Sequence, residues 1–464
     1  MESLAKTTFN DSATTPKMIA LPKILLATDN PQDAAGVVDY LKAYNYDVII
    51  TLYDGEKLRG TPKQCPCAIL CYFTDFVERS PDIAVALKNY YTPHVLPVIA
   101  ALARYTEFQP GIFDSIIFPP AHHSQIANRM NSMIRLQSME REIIHRVETL
   151  SDDFGIQHNL SDDLLSQPFR IMFIGNARPE FMIIINALQK RNVEVVAAFT
   201  SYSAFDFLHE RIFDAVVMNA IESSEPAMTI SETMRRNSKL FHVPTLFLID
   251  EDSFTDHDMA YKKGARDIIS SKAPLDEISG RVLELANYHR IHNQLKREFS
   301  AIGGPKCVRA SSGVFNAEFF SKHLNRICIY NQNINKPVSL VGLRVRPQAS
   351  FELADYRIEQ AIKQVGKILK NLVRMQDTVA QIGDDIFSIA FIDVTQDGLT
   401  PILDRISGIV DCTAFESGNK DAGAFTMTME IVTFDMMDHE TGDMMIGNVI
   451  AELGGEPNTV ELLA

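Results

Sequence analysis

The sequence of 464 residues predicts an α/β protein in which two doubly wound, parallel-sheet units stand in tandem ahead of a further α/β domain. Three observations lead there. Short apolar runs alternate with segments of helical periodicity, the pattern of a parallel sheet with helices on both faces. The alternation completes once and then starts again in the same order. The length suits about three domains, two of which the repeat accounts for.

The first unit opens on PKILLATDN (22–30), a strand running into a loop, followed by the helical pattern AAGVVDYLKAYN and the strand YDVIITLYD. CAILCYF and VLPVIAAL are further strands, and DSIIFPP is a short one. The second unit repeats the order with FRIMFIGN, the helix EFMIIINALQKRN, then VEVVAAF, FDAVVMN, VPTLFLID and ARDIISS. Each unit closes on a long helical pattern. In the first, Ile126, Met130, Met133, Ile134, Ile143, Ile144 and Val147 recur at helix spacing. The second is LDEISGRVLELANYHRIHNQLKREF. Such helices either pack amphipathically on their own units or join domains and pair across a dimer. Residues 151–167 (SDDFGIQHNLSDDLLSQ) are polar and acidic and read as a linker, and AIGGP (301–305) is a second break. The expected boundaries are a polar tail at 1–19, units at 20–150 and 168–297, the linker between them, and a third domain at 298–464.

Composition narrows the function. Apolar residues make up 46%, enough for ordinary packed cores, and 44 basic against 59 acidic residues give a net charge of −15. That charge argues against broad contact with nucleic acid or anionic lipid. No apolar run approaches the ~20 residues that span a bilayer, so no integral membrane contact is expected. The N-terminus lacks the apolar core of a signal peptide. Six cysteines in a chain this long suggest a reducing, cytoplasmic compartment. Cys65, Cys67 and Cys71 cluster, but no second Cys/His group gives zinc spacing. Cys67 and Cys71 read instead as small core residues of a buried strand. Neither a metal nor a cofactor is expected.

The stretch from Arg374 to Phe387, RMQDTVAQIGDDIF, carries the most chemistry. Arg374 and Asp377 form R-x-x-D, and five residues later comes Gly383-Asp384-Asp385-Ile386-Phe387. This resembles the GGDEF domain of diguanylate cyclases, where R-x-x-D sits five residues before the G-G-[DE]-E-F turn. The resemblance implies that the turn is a catalytic motif and that R-x-x-D binds the product, cyclic di-GMP, at a separate inhibitory site. Here Asp384 replaces the second glycine, which lets the backbone approach the GTP phosphates, and Ile386 replaces the fourth residue. Upstream, Arg309 to Ala317 (RASSGVFNA) is similar to the D-x-L-T-G-L-x-N-R opening of the family, with Ser312, Gly313 and Asn316 matching. SLVGLRVRP is similar to its first strand, where metal-binding D-x-D would fall; this chain has Arg344 and Arg346. Two fixed cations oppose a divalent metal. The end motif A-D-x-A-L-Y-x-A-K-x-x-G-R-N is missing from DMMIGNVIAELGGEP. Asp385 facing two arginines is expected to form a salt bridge.

Arg374 and Asp377 suit a purine nucleotide. A guanidinium fork reaches phosphate or the O6/N7 edge of guanine, and a carboxylate accepts from guanine N1–H and N2–H. LKNLVRMQD reads as a helix end running into the turn before a strand. Arg405, in ILDRISG, lies where some relatives place a second arginine for the ligand.

The first two units resemble response-regulator receivers, and the whole chain resembles the receiver–receiver–GGDEF arrangement of PleD-type proteins. A receiver needs an acid pair for Mg²⁺, an Asp nucleophile, a Thr/Ser and a Lys. In the first unit these positions read Thr28-Asp29, Tyr72, a residue near Leu102, and Phe118 or Pro119, with Asp75 three residues beyond the nucleophile position. In the second they read Gly175-Asn176, Asn219, Ile249 and Ser271, with Lys272 adjacent. Neither unit is expected to be phosphorylated. The resulting expectation is a non-catalytic effector of the PopA type that binds cyclic di-GMP through Arg374, Asp377 and Arg405. Its receiver-like units would meet protein partners, and the chain would form a homodimer. The family's inhibitory site takes a stacked pair of ligand molecules, which implies more than one per chain. The alternative is a nucleotide-independent scaffold built from the same degenerate domains.

Overall fold

Three sheets organise the chain, each buried on both faces. The computed structural model describes residues 21–103, 111–118, 122–160, 166–176, 178–334, 336–349, 352–394, 396–417, 423–436 and 440–454. The first sheet holds β1 (Lys23–Thr28), β2 (Asp47–Tyr53), β3 (Leu58–Arg59), β4 (Ala68–Phe73), β5 (Val98–Leu102) and β6 (Ser115–Ile117), in the order β3-β2-β1-β4-β5-β6. All pairs are parallel except the short β2–β3 ladder. Helices α1 (Ala35–Ala43), α2 (Ser80–Tyr90) and α3 (His123–Phe154) accompany it. Successive residues of β1 face opposite cores: Leu25 and Ala27 join one apolar cluster, Ile24 and Leu26 the other. Cys67 and Cys71 are buried, as core residues of this sheet.

The second sheet repeats the plan with β7 (Arg170–Ile174), β8 (Glu194–Ala198), β9 (Ala215–Ala220), β10 (Thr245–Ile249) and β11 (Asp267–Ser270), ordered β11-β10-β9-β7-β8 and parallel throughout. Helices α4 (Pro179–Lys190), α5 (Ser201–Glu210), α6 (Glu225–Arg236), α7 (His257–Lys262) and α8 (Leu275–Ala301) flank it. Both sheets have the doubly wound, flavodoxin-like order, with the switch point beside the first strand. The third sheet is mixed. It contains β12 (Phe315–Asn316), β13 (Val338–Gln348), β14 (Thr378–Gln381), β15 (Ile386–Ile392), β16 (Phe415–Glu416) and β17 (Ala424–Asp435), in the order β12-β14-β15-β13-β17-β16. Helices α9 (Ala317–Ile334), α10 (Asp355–Leu372), α11 (Gln396–Asp411) and α12 (Gly442–Glu452) pack with it. The fold class is therefore the one the alternation predicts.

The chain divides into two compact units, residues 138–159 with 298–464 and residues 21–137 with 160–297. Helix α3 differs from expectation in two ways. It continues through Phe154, into the stretch read as a linker. Its second half also buries polar residues: Glu142, His145, Arg146 and Thr149 are nearly inaccessible, whereas Ile144 is 50% exposed. The apolar periodicity finds Ile143 but misassigns Ile144, because ion pairs rather than aliphatic contacts cover this face.

Candidate functional site

Helix α10 buries Ala361, Ile362, Val365 and Leu369, a stripe at helical spacing, and stops at Leu372. The Arg405 guanidinium, from α11, donates through Nη2 to the Leu372 carbonyl at 2.7 Å. A cation on the last carbonyls of a helix suits its negative end. The turn that follows is closed by its own motif. The Arg374 amide donates to Asp377 Oδ2 at 2.9 Å, and the Asp377 amide donates to the Arg374 carbonyl at 3.0 Å. The structure thus brings Arg374, Asp377 and Arg405 to one turn. The Arg374 side chain is exposed and makes no hydrogen bond or ion pair among the described residues. Asp377 is only 5% exposed, and its Oδ1 has no partner among the described residues. Burial pushes its carboxyl up to about 7, against the opposing pull of Arg374.

The burial of Asp377 has an identifiable source. In the same unit, Arg146 of α3 donates through Nη2 to the carbonyls of Met375 and Asp377, both at 3.2 Å, and to Thr378 Oγ1 at 3.0 Å. Its Nε donates to Glu142 Oε1 at 2.6 Å, and its guanidinium lies over the rings of Phe299 and Phe315. Glu142 Oε1 also meets His323 Nε2 at 2.9 Å and accepts from Thr378 Oγ1 at 3.1 Å. Burial pushes the Glu142 carboxyl up, but His323 and Arg146 outweigh it and hold it at about 2. This clamp is absent from the sequence reading. Its trace is the set Glu142, Arg146 and Thr149, which shares a helix face with Met139 and Ile143.

The hairpin at the other end of β14 is differently made. Arg344 Nε donates to Asp385 Oδ2 at 2.8 Å, and Arg344 Nη1 donates to the carbonyls of Leu453 and Gly454 where α12 ends. The expected salt bridge thus uses Arg344, while Arg346 is exposed and pairs with no acid among the described residues. Ile386 is 4% exposed and joins an apolar core. A Cβ on Gly383 would meet the Ile386 side chain at 3.3 Å. Asp384 is exposed, and its carbonyl accepts from Gln381 Nε2. In the opening motif, the Asn316 side chain caps α9 by accepting from the Phe319 amide at 2.9 Å. Gly313 takes a φ of +73° in the turn from Arg309. Among the described residues no group of three or more His, Cys, Asp or Glu could hold a metal ion.

In each receiver-like crevice the side chains at the strand ends bond the neighbouring loops. Asp29 accepts from the amides of Thr74 at 3.1 Å and of Asp75 and Phe76 at 2.8 Å, so the surviving acid organises the β4–α2 loop. Tyr72 is half-buried at the end of β4, and Asp75 is exposed. Leu102 and Phe118 are buried, and Pro119 lies outside the described residues. In the second crevice, Asn219 donates through Nδ2 to the Asn176 carbonyl and accepts from the Ile221 amide, both at 3.1 Å. A Cβ on Gly175 would meet Asn219 Cβ at 2.6 Å, so glycine is required there. Ile249 is buried, and Lys272 pairs with Asp250 and Asp252 at 2.9 and 2.7 Å. No helix among the described residues is long and apolar enough to cross a membrane.

No family model matches the chain, and no curated protein matches it. Solved structures do. The GGDEF domain of DgcB from Caulobacter crescentus, in complex with c-di-GMP, is 14% identical over 33% of this chain and 91% of that one, with a TM-score of 0.28. The FimX GGDEF domain from Pseudomonas aeruginosa is 18% identical over 32% and 96%, with a TM-score of 0.26. A response regulator from Thermotoga maritima is 24% identical over 26% and 98%, with a TM-score of 0.23. These are likenesses of fold alone.

Proposed function

We propose that this chain is a non-catalytic effector that binds cyclic di-GMP through Arg374 and Asp377, with Arg405 beside them, and meets protein partners through its receiver-like domains. The observation that carries this reading is the half-satisfied turn. Among the described residues Asp377 Oδ1 is buried without a donor, a state that costs roughly 1–3 kcal/mol. Guanine N1–H and N2–H are donors of the right kind to relieve it. Arg374 stands next to it, its fork without a hydrogen bond or ion pair among the described residues, suited to phosphate or the O6/N7 edge. On this reading the chain makes no cyclic di-GMP, because Arg344 occupies the metal position and takes Asp385 for itself. The receiver-like domains are not phosphorylated, and they serve assembly, including a homodimer in the cytoplasm. Calorimetric titration with cyclic di-GMP tests the reading: wild type binds, and Arg374→Ala binds much more weakly. Equal binding by the two proteins, or no binding by either, overturns it.

One observation favours the scaffold alternative. Arg146 and Glu142 cover the turn, so Asp377 reaches a ligand only if residues 138–154 give way. In the effector reading this cover is the output: ligand on Asp377 loosens the helical segment. Hydrogen exchange over residues 138–154 separates the two. Exchange that rises with cyclic di-GMP supports the effector, and exchange unmoved at high ligand concentration supports the scaffold.

A further inference from the structure

The edge of the second sheet opposite the receiver-like crevice carries a different kind of site. Just before β10 and β11, a small cleft opens against α3 and α8, lined by Arg129, Ser132, His242, Arg266, Leu285 and Tyr288 among others. Its volume is about 10 Å³, room for a single oxygen-sized atom. The lining's charged side chains are Arg129 and Arg266, beside the imidazole of His242 and the phenol of Tyr288, and no carboxylate is among them. The acids nearby are already committed: Asp267 binds Arg129 at 3.0 Å and Arg281 at 2.7 Å, and Glu284 lies 3.4 Å from Arg129.

Two donors are left over. Arg129 is 4% exposed, yet its Nε has no acceptor among the described residues. Arg266 is half-buried and its guanidinium makes no hydrogen bond or ion pair among them. Burial pushes that guanidinium down, Tyr288 opposes the shift, and Arg135 and Arg129 add to it. Arg135 lies one turn beyond Ser132 on the same face of α3, exposed and without an ion pair among the described residues. The imidazoles register the same field. Burial, His292, Lys296 and Arg135 hold His242 at about 3, and burial, Arg135 and Lys296 hold His292 at about 4. In a chain of net charge −15, Arg129 has Asp267 and Glu284, but Arg266 and Arg135 meet no carboxylate among the described residues. A water molecule would satisfy Arg129 Nε but would leave the charge of Arg266 and Arg135 unopposed.

We propose that this cleft binds a phosphate-class oxyanion, either free inorganic phosphate or the phosphoryl group of a mononucleotide, with Arg266 and Arg129 Nε as its donors. Guanidinium forks match tetrahedral oxyanions in both charge and geometry. His242 lines the same cleft, and Arg135, near enough to act on Arg266, adds positive charge. The site lies in the other unit from Arg374 and does not depend on cyclic di-GMP binding.

The test is calorimetric titration of the full chain with sodium phosphate, and separately with GMP, at fixed ionic strength in sodium chloride. Saturable binding of either is expected, with phosphate alone assigning the free anion and GMP alone the nucleotide phosphoryl group. Arg266→Ala should weaken it by about 10-fold or more, and Arg374→Ala should leave it unchanged. The ring signals of His242 and His292 should move with ligand in histidine-labelled protein. Arg266→Met, which keeps an aliphatic stem, guards against loss of packing and should also lose binding. No saturable response to either ligand in wild type overturns the proposal, as does wild-type affinity in a folded Arg266 variant.

Discussion

The two turns at either end of β14 make opposite use of their charges. In the hairpin at residues 383–386, Asp385 is held by Arg344, Arg344 also binds the end of α12, and Ile386 belongs to the core. In the turn at residues 374–377, among the described residues, the Arg374 side chain makes no hydrogen bond or ion pair and Asp377 keeps a buried oxygen without a donor. Ion pairs and apolar packing have absorbed the first turn into the structure. The second carries polar groups that stability alone does not explain, since each unpaired buried group costs free energy. The two turns thus differ in unmet hydrogen-bonding capacity, which motif letters alone do not reveal.

The comparison can be broken from several directions. The largest effect is expected at the clamp. Glu142→Ala leaves Arg146 buried without its carboxylate, which should cost about 3–5 kcal/mol by denaturant unfolding, whereas breaking the more accessible Arg344–Asp385 pair with Asp385→Ala should cost distinctly less. Next comes Arg374→Ala. Loss of a charged donor should cost roughly 1.5–3 kcal/mol of cyclic di-GMP binding, about 10–100-fold in Kd, with the melting temperature unchanged.

The third effect is a pH dependence. Burial raises the Asp377 carboxyl from its ordinary 3.8 to about 7, so the folded state holds this proton more tightly than the unfolded state does. Its contribution to stability is fully present below pH 4 and is lost as pH rises through 7. Unfolding measured across that window should show the slope, and Asp377→Asn should remove it. Cyclic di-GMP should bind more tightly above pH 7, where the carboxylate accepts from guanine. The smallest effect is a zero. GTP with Mg²⁺ or Mn²⁺ should yield no dinucleotide, and acetyl phosphate should leave no acyl phosphate on either receiver-like domain. Turnover abolished by Asp385→Ala would reverse the reading of the hairpin, and a phosphoryl signal lost in Asp75→Asn would revive the first receiver.

Some of this was legible in residues alone. The strands of both doubly wound sheets follow from runs such as KILLAT and TLFLI, because a strand buried on both faces must be apolar along its whole length. The long helix α3 was visible too, but the burial of its second half was not. Glu142, Arg146 and Thr149 look like a solvated face, and only the three-dimensional meeting with His323 and Thr378 turns them inward. Asn219 and Asp29 were recognised as residues where a phosphoacceptor and a metal-binding acid would fall, but not as loop-organising hydrogen-bond partners.

The sequence by itself determined the α/β class, the tandem repeat and the presence of arginine at positions 344 and 346. Those properties depend on local periodicity and on charge at single positions, which need no partner to be read. Only the tertiary structure decided which charges are spent. Whether Arg344 is satisfied, whether Asp377 is buried and whether Arg266 is left without an anion all depend on groups 14 to 236 residues away along the chain, such as those joining Arg281 to Asp267 and Thr378 to Glu142. The physical reason is that desolvation and hydrogen bonding are set by what the fold brings within about 3 Å, a distance no pattern along the chain encodes.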